Sequence, residues 1–149
     1  MTYKTSYSAL ILLLSACNYV NAATSLSERN CAVGDEQQGC VLYELSMIEL
    51  IANPEKFAGK KVRIFGYAIF DKVRYEESGD SIYISRETAD HGFLKDGLWL
   101  DLANSALRTQ AFPSDGYVLL EGTFSAGNQG HFSQWSGSIA EITRFERRE

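Results

Sequence analysis

The second half of the chain alternates hydrophobic and polar residues with a period of two. Across residues 62–71, Val62, Ile64 and Phe70 lie on one side of the alternation, and the other side consists of Arg63, Phe65, Tyr67, Ile69 and Asp71. This period is typical of a β-strand with one buried face. Similar runs, separated by turn-forming residues, predict five strands: residues 62–71, 81–85, 98–102, 117–124 and 138–145.

A helical spacing precedes these strands. Within residues 45–52, apolar residues recur every three to four positions, which predicts a short helix with a wide apolar stripe. Asn53 precedes Pro54, and a residue before proline avoids the helical backbone conformation, so the helix should end there. A compact connector follows, with Phe57 expected to pack inward.

Two of the predicted strands carry a glycine in their middle. Gly66 and Gly122 lie at corresponding places of a repeated apolar pattern. A glycine inside a strand marks a bend or bulge, and two strands that bend at the same height suit a small barrel. Residues 41–149 are therefore predicted to form an all-β domain, a small five-stranded barrel preceded by one short α-helix. A β-sandwich or another small barrel is the alternative.

This pattern of strand lengths and glycines resembles the OB-fold-like domains of small bacterial exported proteins and lipoproteins. The resemblance covers about residues 45–145 and implies an OB-like barrel. It carries no functional residues across, because it is not a catalytic signature. The residues that carry it are Pro54-Glu55-Lys56-Phe57-x-Gly59-Lys60-x-Val62-x-Ile64-x-Gly66, Ile82-Tyr83-Ile84, Leu98-Trp99-Leu100-Asp101 and Tyr117-Val118-x-Leu120-x-Gly122-x-Phe124.

The N-terminus has the pattern of a bacterial export signal. Lys4 precedes an apolar run over residues 9–16, which is too short to span about 30 Å of hydrocarbon as a helix but fits the core of a signal peptide. The run ends in Leu14-Ser15-Ala16-Cys17, which resembles the lipobox of bacterial lipoproteins. The resemblance implies that Cys17 is diacylated and becomes the new N-terminus.

The lipobox interpretation divides the first forty residues. Residues 1–16 are then a signal peptide, and residues 17–40 are a lipid tether with a disulfide-containing segment. Asn18 is not the aspartate that tends to retain lipoproteins at the inner membrane of enterobacteria, so the resemblance implies the outer membrane, with the domain facing the periplasm. A competing signal peptidase site, Val20-Asn21-Ala22, predicts cleavage before Ala23 and a soluble periplasmic or secreted protein.

The chain is acidic. It has 149 residues with 14 Lys and Arg against 19 Asp and Glu, a formal charge of −5. Either cleavage removes Lys4 and no acid, so the mature charge is −6. Nucleic acid is excluded as a partner class, because phosphate recognition needs a cationic surface. A hydrophobic share of 45% and a charged share of 22% are typical of one globular domain.

Cys31 and Cys40 remain once Cys17 is acylated or removed. An even number of cysteines in an oxidising compartment predicts a disulfide. A metal site would need further ligands, and both histidines of the chain lie far away in sequence. A redox pair usually has the Cys-x-x-Cys spacing, which this pair lacks.

The sequence predicts no catalytic, metal or cofactor site. It has no Gly-x-Ser-x-Gly, phosphate-loop, His-Glu-x-x-His or calcium-loop motif. Acidic residues between the strands are typical of soluble turns. His91 and His131 lie in predicted loops, where a histidine is more often solvated than a general base. They are candidate binding residues if the two loops meet at one rim of the barrel.

Outward-facing aromatic residues are the main candidates for ligand or partner binding. Phe65 and Tyr67 lie on the first predicted strand, and Tyr83 and Trp99 on the next two. The OB-like resemblance implies that such a face stacks ligands, unless the predicted helix or an N-terminal segment covers it. Trp135, beside a glycine-rich loop, is expected to be an exposed anchor, with packing against the barrel as the alternative.

These observations favour a non-catalytic envelope module, tethered by lipid, that recognises a protein or a cell-envelope component. A toxin-neutralising or other inhibitory protein also fits the size, the acidity and the export signal. A third hypothesis is an envelope hydrolase that uses loop acids and His91. The first hypothesis is favoured because it requires no motif that the sequence lacks.

Overall fold

The computed structural model describes residues 30–35, 39–70, 79–102, 105 and 115–148. The strands are β1 (Cys31–Asp35), β2 (Gly39–Glu44), β3 (Lys61–Ile69), β4 (Ser81–Tyr83), β5 (Gly97–Leu100), β6 (Gly116–Ser125) and β7 (Ser138–Arg147). The helices are α1 (Met47–Ala52), α2 (Pro54–Phe57) and α3 (Arg86–Asp90), with 3-10 turns at Leu94–Asp96 and His131–Ser133. The predicted signal peptide, Cys17, residues 18–29 and most of the connector between the third and fourth predicted strands lie outside the described residues.

Five of the strands close into a barrel. β3 pairs with β4, β4 with β5, β5 with β7, β7 with β6, and β6 again with β3. These pairs are antiparallel except β5 and β7, which run parallel. The predicted fold class, an all-β protein built on a small five-stranded OB-like barrel, is confirmed. Closure leaves the barrel without the open strand edges that invite aggregation.

Alternation along each strand decides which side chains fill the barrel. On β3, Val62 and Ile64 are buried, whereas the alternate residues Arg63 and Phe65 reach solvent. Burial of an aliphatic side chain contributes about 1.5–3 kcal/mol. A one-residue slip of register would turn this whole row outward, and is therefore strongly opposed.

Gly66 and Gly122 allow neighbouring backbones to approach closely. A Cβ atom on Gly66 would lie 2.6 Å from the carbonyl oxygen of Tyr83 on β4, and one on Gly122 would lie 2.7 Å from that of Ala140 on β7. The sequence predicts that the two glycines lie at the same height of the barrel, and this prediction is wrong. Gly66 pairs with Val118, four residues from Gly122 on β6. Gly66 therefore allows the close approach of β4, and Gly122 allows the close approach of β7.

An N-terminal hairpin, which the sequence analysis does not predict, extends the sheet. β1 and β2 pair antiparallel, and β2 runs parallel to the start of β3. Cys31 and Cys40 form a disulfide inside this hairpin with their Cα atoms 5.5 Å apart, so the predicted disulfide is confirmed. β2 crosses the predicted boundary at residue 40 and buries Leu42 and Tyr43, so the hairpin belongs to the sheet of the domain.

Two short helices, rather than one, precede β3. α1 begins after Ser46, whose hydroxyl accepts a hydrogen bond from the backbone N–H of Glu49. This is a typical N-cap contact. α2 starts at Pro54, which suits the first turn of a helix, and buries Phe57 completely, as predicted. The predicted helix is thus confirmed from Met47 onward, and the predicted connector is largely helical.

β7 is longer than the predicted fifth strand. The predicted strand ends at residue 145, but Glu146 and Arg147 also pair with Leu119 and Val118 of β6. Their charged side chains suit the solvent-facing side of an antiparallel pair, and backbone pairing with β6 needs no apolar pattern.

Candidate functional site

Two groups of aromatic side chains lie outside the barrel core, and the first is on β3 and β6. The ring of Phe65 stacks on that of Tyr117 with centroids 5.4 Å apart, and Tyr67 meets the same tyrosine edge-on at 5.2 Å. Phe65 is 49% exposed. The structure therefore brings two of the predicted residues together. Tyr117 is not among the predicted binding residues, because its position opposite Tyr67 is set by the register of β3 and β6.

Tyr83 does not join this exposed group. The expectation that it faces solvent is wrong, since its side chain is only 4% exposed and its ring lies against Gly97. Helix α3 packs against both β3 and β4. The hydroxyl of Tyr117 accepts a hydrogen bond from the backbone N–H of Arg86, the first residue of α3, at 3.4 Å. This helix was not predicted, since His91, which directly follows it, lies in a predicted loop.

The second aromatic group surrounds Trp99 on β5. The ring of Trp99 lies directly against Gly79 and Gly130, so that a Cβ atom on either glycine would overlap it. Trp135 meets Trp99 edge-on, with ring centroids 5.2 Å apart. Ser138 of β7 is the register partner of Trp99, and paired residues of neighbouring strands project to the same face of a sheet. Trp99 is thus largely enclosed by its own chain.

Trp135 is buried rather than exposed. Its side chain is 6% exposed, so the prediction of an exposed anchor is wrong and the alternative, packing against the barrel, is correct. Two buried side-chain atoms of the described residues have no hydrogen-bond partner, the indole Nε1 of Trp135 and the Oγ of Ser138. Both lie beside Trp99. Such unpartnered groups are rare in folded proteins and call for a physical explanation.

Residues 126–137 connect β6 to β7, pack against Trp99 and contain strained backbone. Phe132 and Ser133 have φ angles of 53° and 55°. This left-handed conformation is uncommon for residues other than glycine and is strained for a bulky side chain. Phe132 is 79% exposed, more than any other large apolar side chain that the structure describes.

Lys95 ties this connection to the segment that follows α3. Its ammonium donates hydrogen bonds to the carbonyl oxygens of Ser133 and Trp135, at 3.2 and 2.9 Å. We call residues 92–96 and 130–136 the loop cluster. An open groove lies between its two segments and is lined by Phe93, which is 58% exposed. Phe93 and Phe132 therefore present two exposed rings on one fixed pair of loops.

His91 directly precedes the loop cluster and His131 lies within it, and neither histidine is among the residues that line the groove. The His91 ring donates from Nδ1 to the carbonyl oxygen of Glu87 at 2.8 Å, and it stacks on Phe93 with centroids 6.0 Å apart. The His131 ring lies 3.9 Å from that of Phe132. The two loops that contain these histidines contact each other through Lys95, which is the condition given above for a shared rim. Each imidazole packs against an exposed phenyl ring, His91 against Phe93 and His131 against Phe132.

Phe93, Lys95 and Phe132 are not among the candidate residues that the sequence predicts. Each lies in a polar segment without a period, and the contact of Lys95 with Trp135 joins residues 40 positions apart. A weak signal was present in the chain. Gly130 precedes His131 and Phe132, and a glycine often allows a tight turn that carries the following side chains outward.

A line of ion pairs crosses the outer face of β3, β6 and β7. Arg63 and Arg144 both donate to the carboxylate of Glu121, at 2.7 and 3.0 Å. Burial tends to raise the pKa of Glu121, but the hydrogen bonds from the two guanidinium groups outweigh it and hold the pKa below its ordinary value. Glu121 also raises the pKa of Arg63 through their hydrogen bond. The network joins three strands and has a structural role.

No group of three or more His, Cys, Asp or Glu residues in the described part of the chain is arranged to hold a metal ion. Within the same residues, no helix is both long and apolar enough to cross a membrane. No family model, no curated protein and no solved structure matches this chain. The loop cluster and the enclosed Trp99 are therefore identified as the candidate site from their geometry alone.

Proposed function

We propose that this protein is a non-catalytic binding module of the bacterial cell envelope, tethered by a lipid at Cys17, and that the loop cluster contacts its protein partner. The observation that carries the proposal is the exposed ring of Phe132 on a strained and hydrogen-bonded loop. Aromatic side chains on a fixed surface are the usual anchors of protein interfaces.

The exposure of Phe132 costs free energy in the isolated protein. A left-handed residue other than glycine costs about 1–3 kcal/mol, and a phenyl ring left in water forgoes about 1.5–3 kcal/mol of burial. A partner that covers Phe132 and Phe93 recovers the second term without any rearrangement of the loop. Local costs of this kind are expected where function requires them.

The tether is supported by the resemblance of Leu14-Ser15-Ala16-Cys17 to a lipobox. The small and polar composition of residues 18–29 is typical of a tether between a lipid and a domain. The described domain starts at Asn30, whose side-chain amide donates to Glu49 of α1 at 2.6 Å. Such a linker keeps the domain near the membrane and leaves the loop cluster free to turn towards a partner. Asn18 favours the outer membrane.

Site-specific photo-crosslinking in cells tests the contact. A photoreactive phenylalanine analogue replaces Phe132 in the full chain, and the irradiated cells are analysed for one defined product with an envelope protein. The control carries the same analogue at Ile48, an exposed residue of α1, and should not give that product. Identical crosslink patterns from the two positions would contradict the proposed contact.

A substitution measures the energetic weight of the anchor. Phe132→Ala should weaken binding of the captured partner at least tenfold, which corresponds to about 1.4 kcal/mol. The melting temperature should stay close to that of the parent, because the ring is exposed in the free protein. If the captured partner is an enzyme whose activity falls on binding, the module acts as an inhibitor.

A further inference from the structure

Two irregular features of the protein coincide at Trp99. The first is the backbone strain in residues 126–137, which pack against its ring. The second is the pair of unpartnered buried groups, Trp135 Nε1 and Ser138 Oγ. Departures from local rules that occur together in space are expected at functional sites.

We propose that Trp99, Trp135 and Ser138 form a ligand site for a neutral sugar, and that residues 126–134, whose Gly130 lies on the Trp99 ring, are a lid that covers this site in the free protein. The inference rests on the proposed function in one respect, since the same loop carries the partner contact at Phe132. It concerns a different surface of that loop and a different class of ligand.

The groups around Trp99 define the class of ligand. With the lid open, the Trp99 ring offers a flat apolar face, the N–H of Trp135 is a donor, and the hydroxyl of Ser138 both donates and accepts. Gly79 and Gly130 border the ring without adding bulk. These groups carry no formal charge, so they suit a neutral ligand with an apolar face and several polar groups.

A sugar ring with an acetamido substituent has this combination of groups. Its carbonyl oxygen can accept from the indole N–H of Trp135, and its hydroxyls can bond to Ser138. The three side chains supply no countercharge to a phosphate or carboxylate, and burial of an uncompensated charge is strongly unfavourable. An acidic ligand is therefore disfavoured at this position.

The lid is held by contacts that can open without burying a charge. Lys95 is exposed, and its hydrogen bond to the lid is to the carbonyl oxygen of Ser133, a bond that water can replace. Closure leaves two buried groups unpartnered and keeps two residues in the left-handed conformation. A ligand that hydrogen-bonds to both groups therefore binds the open form in preference to the closed form.

Intrinsic fluorescence reports on this site directly, because Trp99 and Trp135 are the two tryptophans of the chain. The full chain is purified in mild detergent and titrated with chitotriose, the neutral trimer of N-acetylglucosamine. We expect a saturable shift of the emission maximum. No saturable change up to about 10 mM, above the millimolar range of weak specific binding, would overturn the proposal.

Ser138→Ala separates ligand binding from stability. Removal of an unpartnered buried hydroxyl should leave the melting temperature unchanged or raise it, whereas chitotriose affinity should fall about tenfold, as for the loss of one good hydrogen bond. Trp135→Phe keeps an aromatic ring and removes the N–H. It should also lower the affinity for chitotriose, which the fluorescence of the remaining Trp99 measures. Parental affinity in Ser138→Ala would reject the site.

Ser105→Ala is the matched control. Ser105 is also a buried serine, but its hydroxyl donates to the carbonyl oxygen of Ile142 at 3.4 Å. This variant should melt at a lower temperature and bind chitotriose as the parent does. If the crosslinker at Phe132 captures a partner and chitotriose does not change the fluorescence, the proposed function stands and the sugar site is rejected. If chitotriose gives a saturable change and no partner is captured, the sugar site stands and the proposed partner contact is rejected.

Discussion

The ammonium of Lys95 donates a hydrogen bond to the carbonyl oxygen of Trp135 at 2.9 Å, across 40 positions of the chain. The hydroxyl of Ser136 donates in return to the carbonyl oxygen of Lys95 at 2.7 Å. These reciprocal bonds fix the two segments of the loop cluster relative to each other. A surface that is already fixed loses less conformational entropy when a partner binds.

Lys95→Met should loosen residues 130–136 and leave the barrel folded. Methionine keeps an unbranched side chain but removes the three ammonium donors, so two carbonyl oxygens lose their partner. We expect stronger acrylamide quenching of Trp135 fluorescence. Lys56→Met on α2 is the control and should not change quenching. Equal quenching in the two variants would show that Lys95 does not hold the loop.

Gly66→Val and Gly122→Val should each lower the free energy of unfolding by about 2 kcal/mol or more. The added side chain would meet the backbone of Tyr83 or Ala140, and a backbone cannot move aside as a flexible side chain can. Thermal melts measure the effect. Gly127→Val is the control, because a Cβ atom there has nothing within 4 Å. Parental melting of both barrel variants would contradict the close-approach argument.

The disulfide of the N-terminal hairpin should be present in the exported protein. Peptide mapping without reduction should find neither Cys31 nor Cys40 as a free thiol. Replacement of both by serine should lower the free energy of unfolding by about 2–3 kcal/mol, the range for a small closed loop. Two reactive thiols in the exported protein would reject this prediction.

Cys17 should carry the lipid. Metabolic labelling with a palmitate analogue should mark the parent protein, and the Cys17→Ser variant should not be marked. Equal labelling of the two proteins, or a mature N-terminus at Ala23, would reject the anchor and leave a soluble protein.

Glu121→Gln should destabilise the protein at neutral pH by about 1–2 kcal/mol, because the charged hydrogen bonds to Arg63 and Arg144 are weakened. The folded-state pKa of Glu121 lies below its unfolded value. Its contribution to stability is therefore complete above about pH 4.5 and is lost as the pH falls through the folded-state pKa.

Denaturant titrations at several pH values measure this contribution. The difference in unfolding free energy between the parent and Glu121→Gln should be constant from about pH 6 to 8 and should shrink below about pH 4. Glu55→Gln, at an exposed position of α2, is the control. A difference that does not change with pH would show that the carboxylate charge is not responsible.

The alternation of residue types was enough to predict the five barrel strands, the buried Phe57 and the strand interiors that contain Gly66 and Gly122. Strand formation and the choice of buried face depend on side chains within one short segment. The disulfide between Cys31 and Cys40 followed in the same way from a count of cysteines and the predicted compartment. Each of these features was confirmed because local chemistry decides it.

The tertiary structure alone decided which side chains meet. Tyr83 follows the outward pattern of its strand but is buried, with its ring against Gly97. Trp135 lies beside a glycine-rich loop but packs on Trp99. The loop cluster exists because Lys95 reaches across the fold. These contacts depend on strand register and on barrel closure, which bring distant segments together, and a pattern along the chain contains no information on that distance in space.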